Sequence, residues 1–451
     1  MKSARQVAVQ ALVKVNQDGG YSNLVIDSEL SKSELDPRDK AFCTTLFYGV
    51  LERRITLDAV LQKYCKQPLK KLMPQVRELL HIAVYQILYM SSVPTSAAVN
   101  ESVELSRKMK CGHASGFING VLRSFLRDGG SLDGILPNKA AKPVPYLSLF
   151  YSVPEWLAEH WIKDYGAQTA ESILAAAADR PPLYLRVNCL KNNPQDLAEA
   201  LRKKGMEVTI REEIGNCLEV EKTGEIDYPV LYKRGHFTVQ DISSQLCVQA
   251  ADAKPGMRCL DVCAAPGGKS FTLAQMMEDK GELLSLDLHE FKTKLIKDGA
   301  KRLGLHCIQT AAGDAQIFDE TRGEFDRVLC DVPCSGLGII RRKPEIRYKN
   351  PDDLKGLPQI QYKILETSSK YVKEGGKLVY STCTLSRAEN DEVVQRFLAE
   401  HPEFCPEPLP NPIQKLTGAN GDYKVTLLPE MLNSDGFFIA TLKRVRNGEC
   451  L

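Results

Sequence analysis

No stretch of the 451-residue chain approaches the roughly 20 consecutive apolar residues that span a bilayer, so no membrane-crossing helix is expected. At the start, MKSARQVAVQALVKV is basic and partly apolar, but Arg5, Gln6, Gln10 and Lys14 interrupt it before a signal-peptide core forms. A cytoplasmic location is the expectation. Charge of one sign is also lacking: 59 Lys and Arg stand against 57 Asp and Glu, leaving +2. A nucleic-acid partner would then be held by local basic patches, not by overall charge. Zinc-type C-x-x-C pairs are absent, the nearest being Cys259/Cys263 and Cys330/Cys334, and the seven histidines show no ligand spacing. No metal is expected. The 14 cysteines are scattered over the whole length, whereas disulfide frameworks belong to short secreted chains, so most of them read as small buried hydrophobes.

What is present fits two or three domains, since the chain is long for a single core. Residues 1–127 read as helix throughout. Apolar stripes at helical spacing recur at Val7, Leu12 and Val15; at Phe42, Leu46, Phe47, Val50 and Leu51; at Val76, Leu79, Leu80, Ala83, Val84, Ile87 and Leu88; and at Phe117, Val121, Leu122 and Phe125. Asp36-Pro37 and Ser92-Val93-Pro94 mark turns. The prediction is an all-α bundle over 1–130. Its basic side chains, among them Arg5, Arg53, Arg54, Lys70, Arg123 and Arg127, fit either solvated faces or an RNA-contacting surface.

The run 128–145 is rich in Gly, Pro and small polar residues, so 131–145 reads as a linker. Residues 146–236 read as a small α/β appendage, with strand-like runs at Leu183–Asn188 and Met206–Ile210 and a helix near Leu197–Leu201. Trp156 and Trp161 read as core. The Arg186/Asn188 pair fits either an RNA contact or polar alternation at a strand end.

From 237 to 446 strand and helix alternate. Strands are expected at Arg258–Val262, Leu283–Leu288, Cys307–Thr310, Arg327–Cys330 and Lys377–Ser381, with helices such as Phe291–Arg302 and Gln359–Val372 between them. That pattern makes a mainly parallel, Rossmann-like sheet whose ligands sit beyond the carboxyl ends of the strands. Lys424–Leu428 and Phe437–Leu442 read as an antiparallel finish.

Chemistry-bearing residues gather at those ends. The first strand ends in Asp261 and runs into Cys263-Ala264-Ala265-Pro266-Gly267-Gly268-Lys269, where paired glycines and a helix N-terminus offer bare N–H groups to a ligand. The second ends in Asp287, 26 residues on, where an acid meets ribose hydroxyls. The third is followed by Gly313-Asp314, the fourth by Asp331-Val332-Pro333-Cys334, and the fifth by Thr382-Cys383-Thr384. A single acid at a strand end is often only a helix cap. Five such ends in succession point to a site. Gly268-Lys269-Ser270 matches the close of a phosphate loop, but Cys263 occupies its first glycine position, and no G-x-G-x-x-G occurs. A nucleotide-like cofactor without a polyphosphate is therefore expected. S-adenosylmethionine fits, with its hydroxyls on Asp287, its adenine by Asp314 and its amino-acid end in the glycine turn.

Two thiols and an acid define the reaction. Carbon-5 of cytosine is a poor nucleophile until a thiolate adds to carbon-6, and that addition needs a carboxyl group near ring nitrogen 3. One nucleophilic thiol, one assisting thiol and one acid match Cys383, Cys334 and Asp331, and Lys269 can supply the electropositive setting that activates a thiol. The alternatives are a non-catalytic RNA-binding factor, which loss of any of the three would favour, and a nucleotide hydrolase built on Gly268-Lys269-Ser270.

The runs VCAAPGGKS, Asp287, GDA at 313–315, DVPCSG at 331–336, STCT at 381–384 and SDGFF at 434–438 resemble the RNA 5-methylcytosine methyltransferases. The helical region is similar to the NusB-type RNA-binding domain. Together they resemble the RsmB (Fmu/Sun) family, which methylates a cytosine of bacterial 16S ribosomal RNA. The resemblance implies that Cys263, Ala264, Ala265, Pro266, Gly267, Gly268, Lys269, Asp287, Asp314 and Asp331 bind S-adenosylmethionine. It also implies that the Thr-Cys thiol, Cys383, is the nucleophile and the Pro-Cys thiol, Cys334, assists release. DNA cytosine methyltransferases use the Pro-Cys thiol instead, so the reverse assignment stands as the alternative. The stretch 340–349 follows Cys334 with five basic residues against one acid; Arg341, Arg342, Lys343 and Arg347 are the expected phosphate contacts, with a solvated loop as the bland alternative. Gln240–Gln245 reads as closing the cofactor side or as a helix cap. A monomer with 16S ribosomal RNA as partner, and neither DNA nor membrane, completes the expectation.

Overall fold

A computed structural model describes residues 2–18, 22–222 and 228–446. Residues 1 and 19–21 of the expected bundle and 223–227 of the expected appendage lie outside the described residues. The chain divides into two units: residues up to Ala178 together with Lys343–Lys349, and Asp179–Arg342 together with Asn350 onward.

The first unit is helical. Its elements are α1 (Ala4–Asp18), α2 (Ser22–Ser31), α3 (Pro37–Glu52), α4 (Arg54–Tyr64), α5 (Pro74–Tyr89), α6 (Thr95–Lys108), α7 (Ser115–Arg127), α8 (Pro143–Tyr151), α9 (Glu155–Tyr165) and α10 (Ala167–Ala176). The predicted stripes are the faces it buries: Val7, Leu12, Leu46, Phe47, Val50, Leu79, Leu80, Val84, Leu122 and Phe125 share one core. The turn signal at Asp36-Pro37 works as read. Asp36 Oδ1 accepts the Asp39 N–H at 2.8 Å and Pro37 opens α3, where its missing N–H costs no hydrogen bond. Trp161 is fully buried and Trp156 half-buried. The division between the units falls after Ala178, inside the stretch 146–236 expected as one appendage, between α10 and β1.

The second unit holds two sheets. The small one comprises β1 (Leu183–Val187), β2 (Glu207–Ile210), β3 (Cys217–Lys222) and β4 (Phe237–Val239), antiparallel in the order β2-β3-β1-β4, with α11 (Pro194–Arg202) and α12 (Tyr228–Lys233) in its connections. β3 alternates over Leu218-Glu219-Val220-Glu221 and β4 over Phe237-Thr238-Val239, but both are short, and sequence reasoning missed them.

The large sheet follows α13 (Ile242–Ala250). In chain order it runs β5 (Arg258–Asp261), α14 (Gly268–Met276), β6 (Glu282–Asp287), α15 (Glu290–Leu303), β7 (Ile308–Ala312), β8 (Phe325–Asp331), α16 (Leu357–Ser369), β9 (Val372–Thr382), α17 (Asp391–Glu400), β10 (Phe404–Pro406), α18 (Asn411–Thr417), β11 (Lys424–Leu427) and β12 (Phe437–Arg444). The order is β10-β12-β9-β8-β5-β6-β7, with β11 on β12. β9, β8, β5, β6 and β7 are mutually parallel, and β12 runs antiparallel to β9. Each expected strand is present, and the end of the helix expected over Gln359–Val372 instead turns into β9. The two faces of the sheet are buried separately, one by Leu246, Leu273, Ile296 and Leu303, the other by Tyr362, Leu365, Val394 and Phe397.

Among the described residues no helix is long and apolar enough to cross a membrane, and no cluster of His, Cys, Asp and Glu could hold a metal ion. Eight described cysteines, from Cys43 to Cys330, are free and buried, while Cys405 is disulfide-bonded.

Candidate active site

Parallel pairing of β8 with β5 and with β9 brings the ends of these three strands side by side. β5 leads into the turn Val262–Gly267. Gly267 has φ +109°, and a Cβ there would sit 2.4 Å from the Phe271 ring, so glycine is demanded by the backbone and by packing. The neighbouring Gly268 differs: a Cβ would meet nothing closer than Gln240 Nε2 at 3.8 Å, which leaves its surface open to a ligand. Gln240 braces this turn. Its Nε2 donates to Gly268 O at 3.1 Å and its Oε1 accepts from Thr272 Oγ1 at 2.7 Å.

Lys269, in the first turn of α14, reaches Asp331 at the end of β8, with Nζ 2.8 Å from Oδ2. Ser381 Oγ on β9 donates to the other oxygen of Asp331 at 2.7 Å. Burial works against the Lys269 charge, but Asp331, Cys247 and Cys383 raise its pKa above the usual lysine value, and its ammonium lies 5.2 Å from the Phe437 ring centre. Asp287 accepts the His289 N–H at 3.1 Å, while the Gly313 N–H donates to Asp287 O at 3.0 Å, which joins the second and third strand ends. Asp314 accepts the Gln316 N–H at 2.9 Å.

Cys334 Sγ and Cys383 Sγ are 3.3 Å apart, on the segments that follow adjacent strands. The two thiols are driven in opposite directions. A hydrogen bond from Cys334 holds Cys383 below the ordinary thiol value; burial and Asp331 oppose this, and Lys269 assists it. Cys334, hydrogen-bonded to Cys383 and buried, is pushed well up. Ionisation is therefore favoured at Cys383 over Cys334.

The family described as 16S rRNA methyltransferase RsmB/F matches residues 248–443, the NusB family matches 2–127, and the ferredoxin-like domain of RsmF/B-type methyltransferases matches 153–227. A Bacillus subtilis protein named "probable ribosomal RNA small subunit methyltransferase B" is 40% identical, over 98% of this chain and 99% of its own. The chain belongs to the RsmB/F methyltransferase family. An Escherichia coli O1:K1 member, named ribosomal RNA small subunit methyltransferase B, is 32% identical over 98% of both chains. The crystal structure of PH0851, at 25% identity, superposes over 98% of this chain and 99% of its own with a TM-score of 0.80.

For this RsmB/F chain, most of the expected RNA contacts need correction. Arg341 is 4% exposed, bonded to Asp435 Oδ1 at 3.3 Å and Asn433 O at 2.9 Å. Arg342 bridges two carboxylates, Asp435 at 2.6 Å and Asp241 at 2.7 Å. Arg347 is 3% exposed and donates to Glu52 O at 2.8 Å. These guanidinium groups are spent on internal partners. Arg186 and Asn188 are buried as well, the Asn188 amide donating to Gly235 O and Leu303 O, both at 2.9 Å. Of the six expected contacts only Lys343 is exposed. Asp241, one of the two open readings of Gln240–Gln245, caps α13 through the Ser243 N–H at 2.9 Å and also anchors Arg342. Asp435 escaped sequence reasoning although SDGFF was noted, because its partners lie 93 and 94 residues away.

Proposed function

We propose that the protein transfers a methyl group from S-adenosylmethionine to carbon-5 of a cytosine in 16S ribosomal RNA through a covalent adduct between Cys383 and carbon-6. The observation that carries this reading is the thiol pair 3.3 Å apart, beside an acid that is itself paired with a lysine. Relatives over the full length are named for small-subunit ribosomal RNA, which supports the substrate.

The cofactor fits this set of residues. The open face of Gly268 lets a ligand approach the turn, and the carboxylates Asp287 and Asp314 at successive strand ends suit hydroxyl and amino groups. Cys263, Ala264, Ala265, Pro266, Gly267, Gly268 and Lys269 would hold it with Asp287, Asp314 and Asp331. When bound, it supplies an electrophilic methyl group.

The chain's own residues do the rest. Cys383, the thiol with the lowered pKa, adds to carbon-6. Asp331, held by Lys269 and Ser381, supports the proton at ring nitrogen 3 as negative charge builds. After methylation the Cys383–carbon-6 bond breaks with its electron pair going to the Cys383 sulfur, Cys334 gives that sulfur its proton, and the Cys334 thiolate so formed takes the proton from carbon-5, which restores both thiols and the ring double bond. Lys343 and the exposed basic side chains of the helical unit are the phosphate contacts. The protein acts as a cytoplasmic monomer on RNA and not on DNA.

Cys383→Ala is expected to abolish tritium transfer from labelled S-adenosylmethionine to a 16S RNA transcript. Cys334→Ala is expected to leave protein covalently trapped on RNA, visible as a slow band on a denaturing gel. Full turnover by the Cys383 variant, or trapping by it in place of the Cys334 variant, would reverse the assignment. Mapping the labelled base checks carbon-5 of cytosine.

A further inference from the structure

Both thiols sit on short segments beyond strand ends, joined there by two backbone hydrogen bonds, Val332 N–H to Ser381 O at 3.1 Å and Gly338 N–H to Cys383 O at 3.0 Å. Neither bond involves Cys334 or its immediate neighbours. One buried side chain adds ties at those neighbours. Glu389, 3% exposed, lies between Cys383 and α17. Its Oε2 accepts the backbone N–H of Ser335, the residue after Cys334, at 2.9 Å. Its Oε1 accepts from the hydroxyl of Thr384, the residue after Cys383, at 3.4 Å. The two neighbours also meet each other, Ser335 Oγ to Thr384 Oγ1, at 2.7 Å.

A further donor closes the arrangement. Gln361 on α16 donates from Nε2 to Glu389 Oε2 at 2.8 Å and to Pro333 O, just before Cys334, at 3.1 Å. On the other side Asn390, next to Glu389, donates to Thr384 O at 2.9 Å and accepts from Thr382 Oγ1 at 2.5 Å. The Tyr380 hydroxyl donates to Glu389 O at 2.6 Å. The residues flanking each cysteine are thus bonded to Glu389, to its neighbour or to its partner.

We propose that Glu389 is a positioning residue for methyl transfer, a carboxylate that holds the residues next to Cys334 and Cys383 in place by accepting hydrogen bonds from both thiol-bearing segments. A carboxylate suits this place because it only accepts, and the Ser335 N–H and Gln361 amide on its Oε2 can only donate. An amide of the same shape would turn its NH₂ toward the Thr384 hydroxyl, which would then have to accept, so the tie to the Cys383 segment is reversed and the charge is lost. The charge has a second effect in the same direction: after the Cys383 hydrogen bond and burial, it adds to the rise of the Cys334 pKa.

The inference rests on Cys383 and Cys334 being the reacting pair, and its test separates the two. In full-length Glu389→Gln, kcat on a 16S RNA transcript is expected to fall roughly 10- to 100-fold, with KM for RNA and for S-adenosylmethionine changed less than about twofold. In the same protein, without RNA, the pH profile of Cys383 alkylation by iodoacetamide, read by mass spectrometry, is expected to move to higher pH. Loss of kcat with an unmoved alkylation profile overturns the proposal, as does an unchanged kcat. Should Glu389→Gln fail to fold, Thr384→Val and Gln361→Leu each remove one tie, and an unmoved alkylation profile in both overturns it equally. If Cys383→Ala keeps its turnover while Glu389→Gln still shifts the profile, the reaction assignment has failed and the positioning role has not.

Discussion

Asp261 stands behind the glycine turn, 1% exposed, with Ser270 Oγ donating to its Oδ2 at 2.7 Å. Burial raises its pKa from 3.8 to about 7. The folded protein therefore binds this proton more tightly than the unfolded chain does, so this carboxyl's contribution to stability falls as pH rises from 3.8 toward about 7. Asp261→Asn removes the titration and keeps an acceptor for Ser270. Its melting temperature relative to the parent is expected to be higher at about pH 8 than at about pH 4. Scanning calorimetry across that range checks it, and an offset that does not vary with pH would acquit Asp261. Gly267 and Gly268 make a related point about single residues. They are neighbours of one type, yet the first is glycine for the sake of Phe271 and its own φ, and the second for what approaches from outside. Composition alone does not tell the two apart.

At the scale of elements, α5 carries a charge cluster into the bundle. Glu78 and His81, both fully buried, bond to each other at 3.0 Å; His81 Nε2 also meets Asp58 at 2.8 Å, and Arg54 and Arg77 flank Glu78. Burial alone would raise the Glu78 carboxyl, but the charges of His81, Arg54 and Arg77 hold it at about 2. Burial also works against the His81 charge, and Glu78 and Asp58 overcome it and raise the imidazole above 6.5. The two signs bracket a window. The Glu78 contribution is lost as pH falls from 4.5 toward about 2, and the His81 contribution is lost as pH rises above 6.5 through its raised folded value. His81→Gln, which leaves Glu78 with fewer partners, is expected to cost about 3–5 kcal/mol and to abolish the alkaline decline. Urea unfolding followed by hydrogen exchange in α5 reads both.

Elements were also where the sequence was most and least readable. The strands β5 to β9 and the helices between them follow from apolar runs and turn residues, and the acids and cysteines fall at their ends because that is where chain direction changes. The run Arg341–Lys349 misled for a definite reason. Local composition counts positive charges, but whether a guanidinium is free depends on carboxylates supplied from elsewhere, here Asp241 at 101 residues' separation and Asp435 at 93. Glu389 was silent for the same reason: the partners that tie it to the Cys334 segment and to α16 lie 54 and 28 residues upstream.

For the whole molecule, the helical unit is not a continuous piece of chain. It takes in Lys343–Lys349, in which Pro344, Ile346 and Arg347 are buried. Tyr348 Oη donates to Leu51 O at 2.7 Å and Arg347 to Glu52 O at 2.8 Å, so carbonyls of the last turn of α3, which have no partner within the helix, are satisfied by this segment. A chain ending at residue 178 is expected to melt below the helical unit of the full protein and to exchange the amides of α3 faster, as hydrogen-exchange mass spectrometry would read. Equal protection would mean that the segment adds nothing. There is also an order in time. The partners of Leu51 and Glu52 come 297 and 295 residues later. At a synthesis rate of roughly 5–20 residues per second, α3 has left the ribosome for about 15–60 s before they exist. Until then its final carbonyls are left to water, and the bundle is finished by a strip of chain made between β8 and β9 of the methyltransferase sheet.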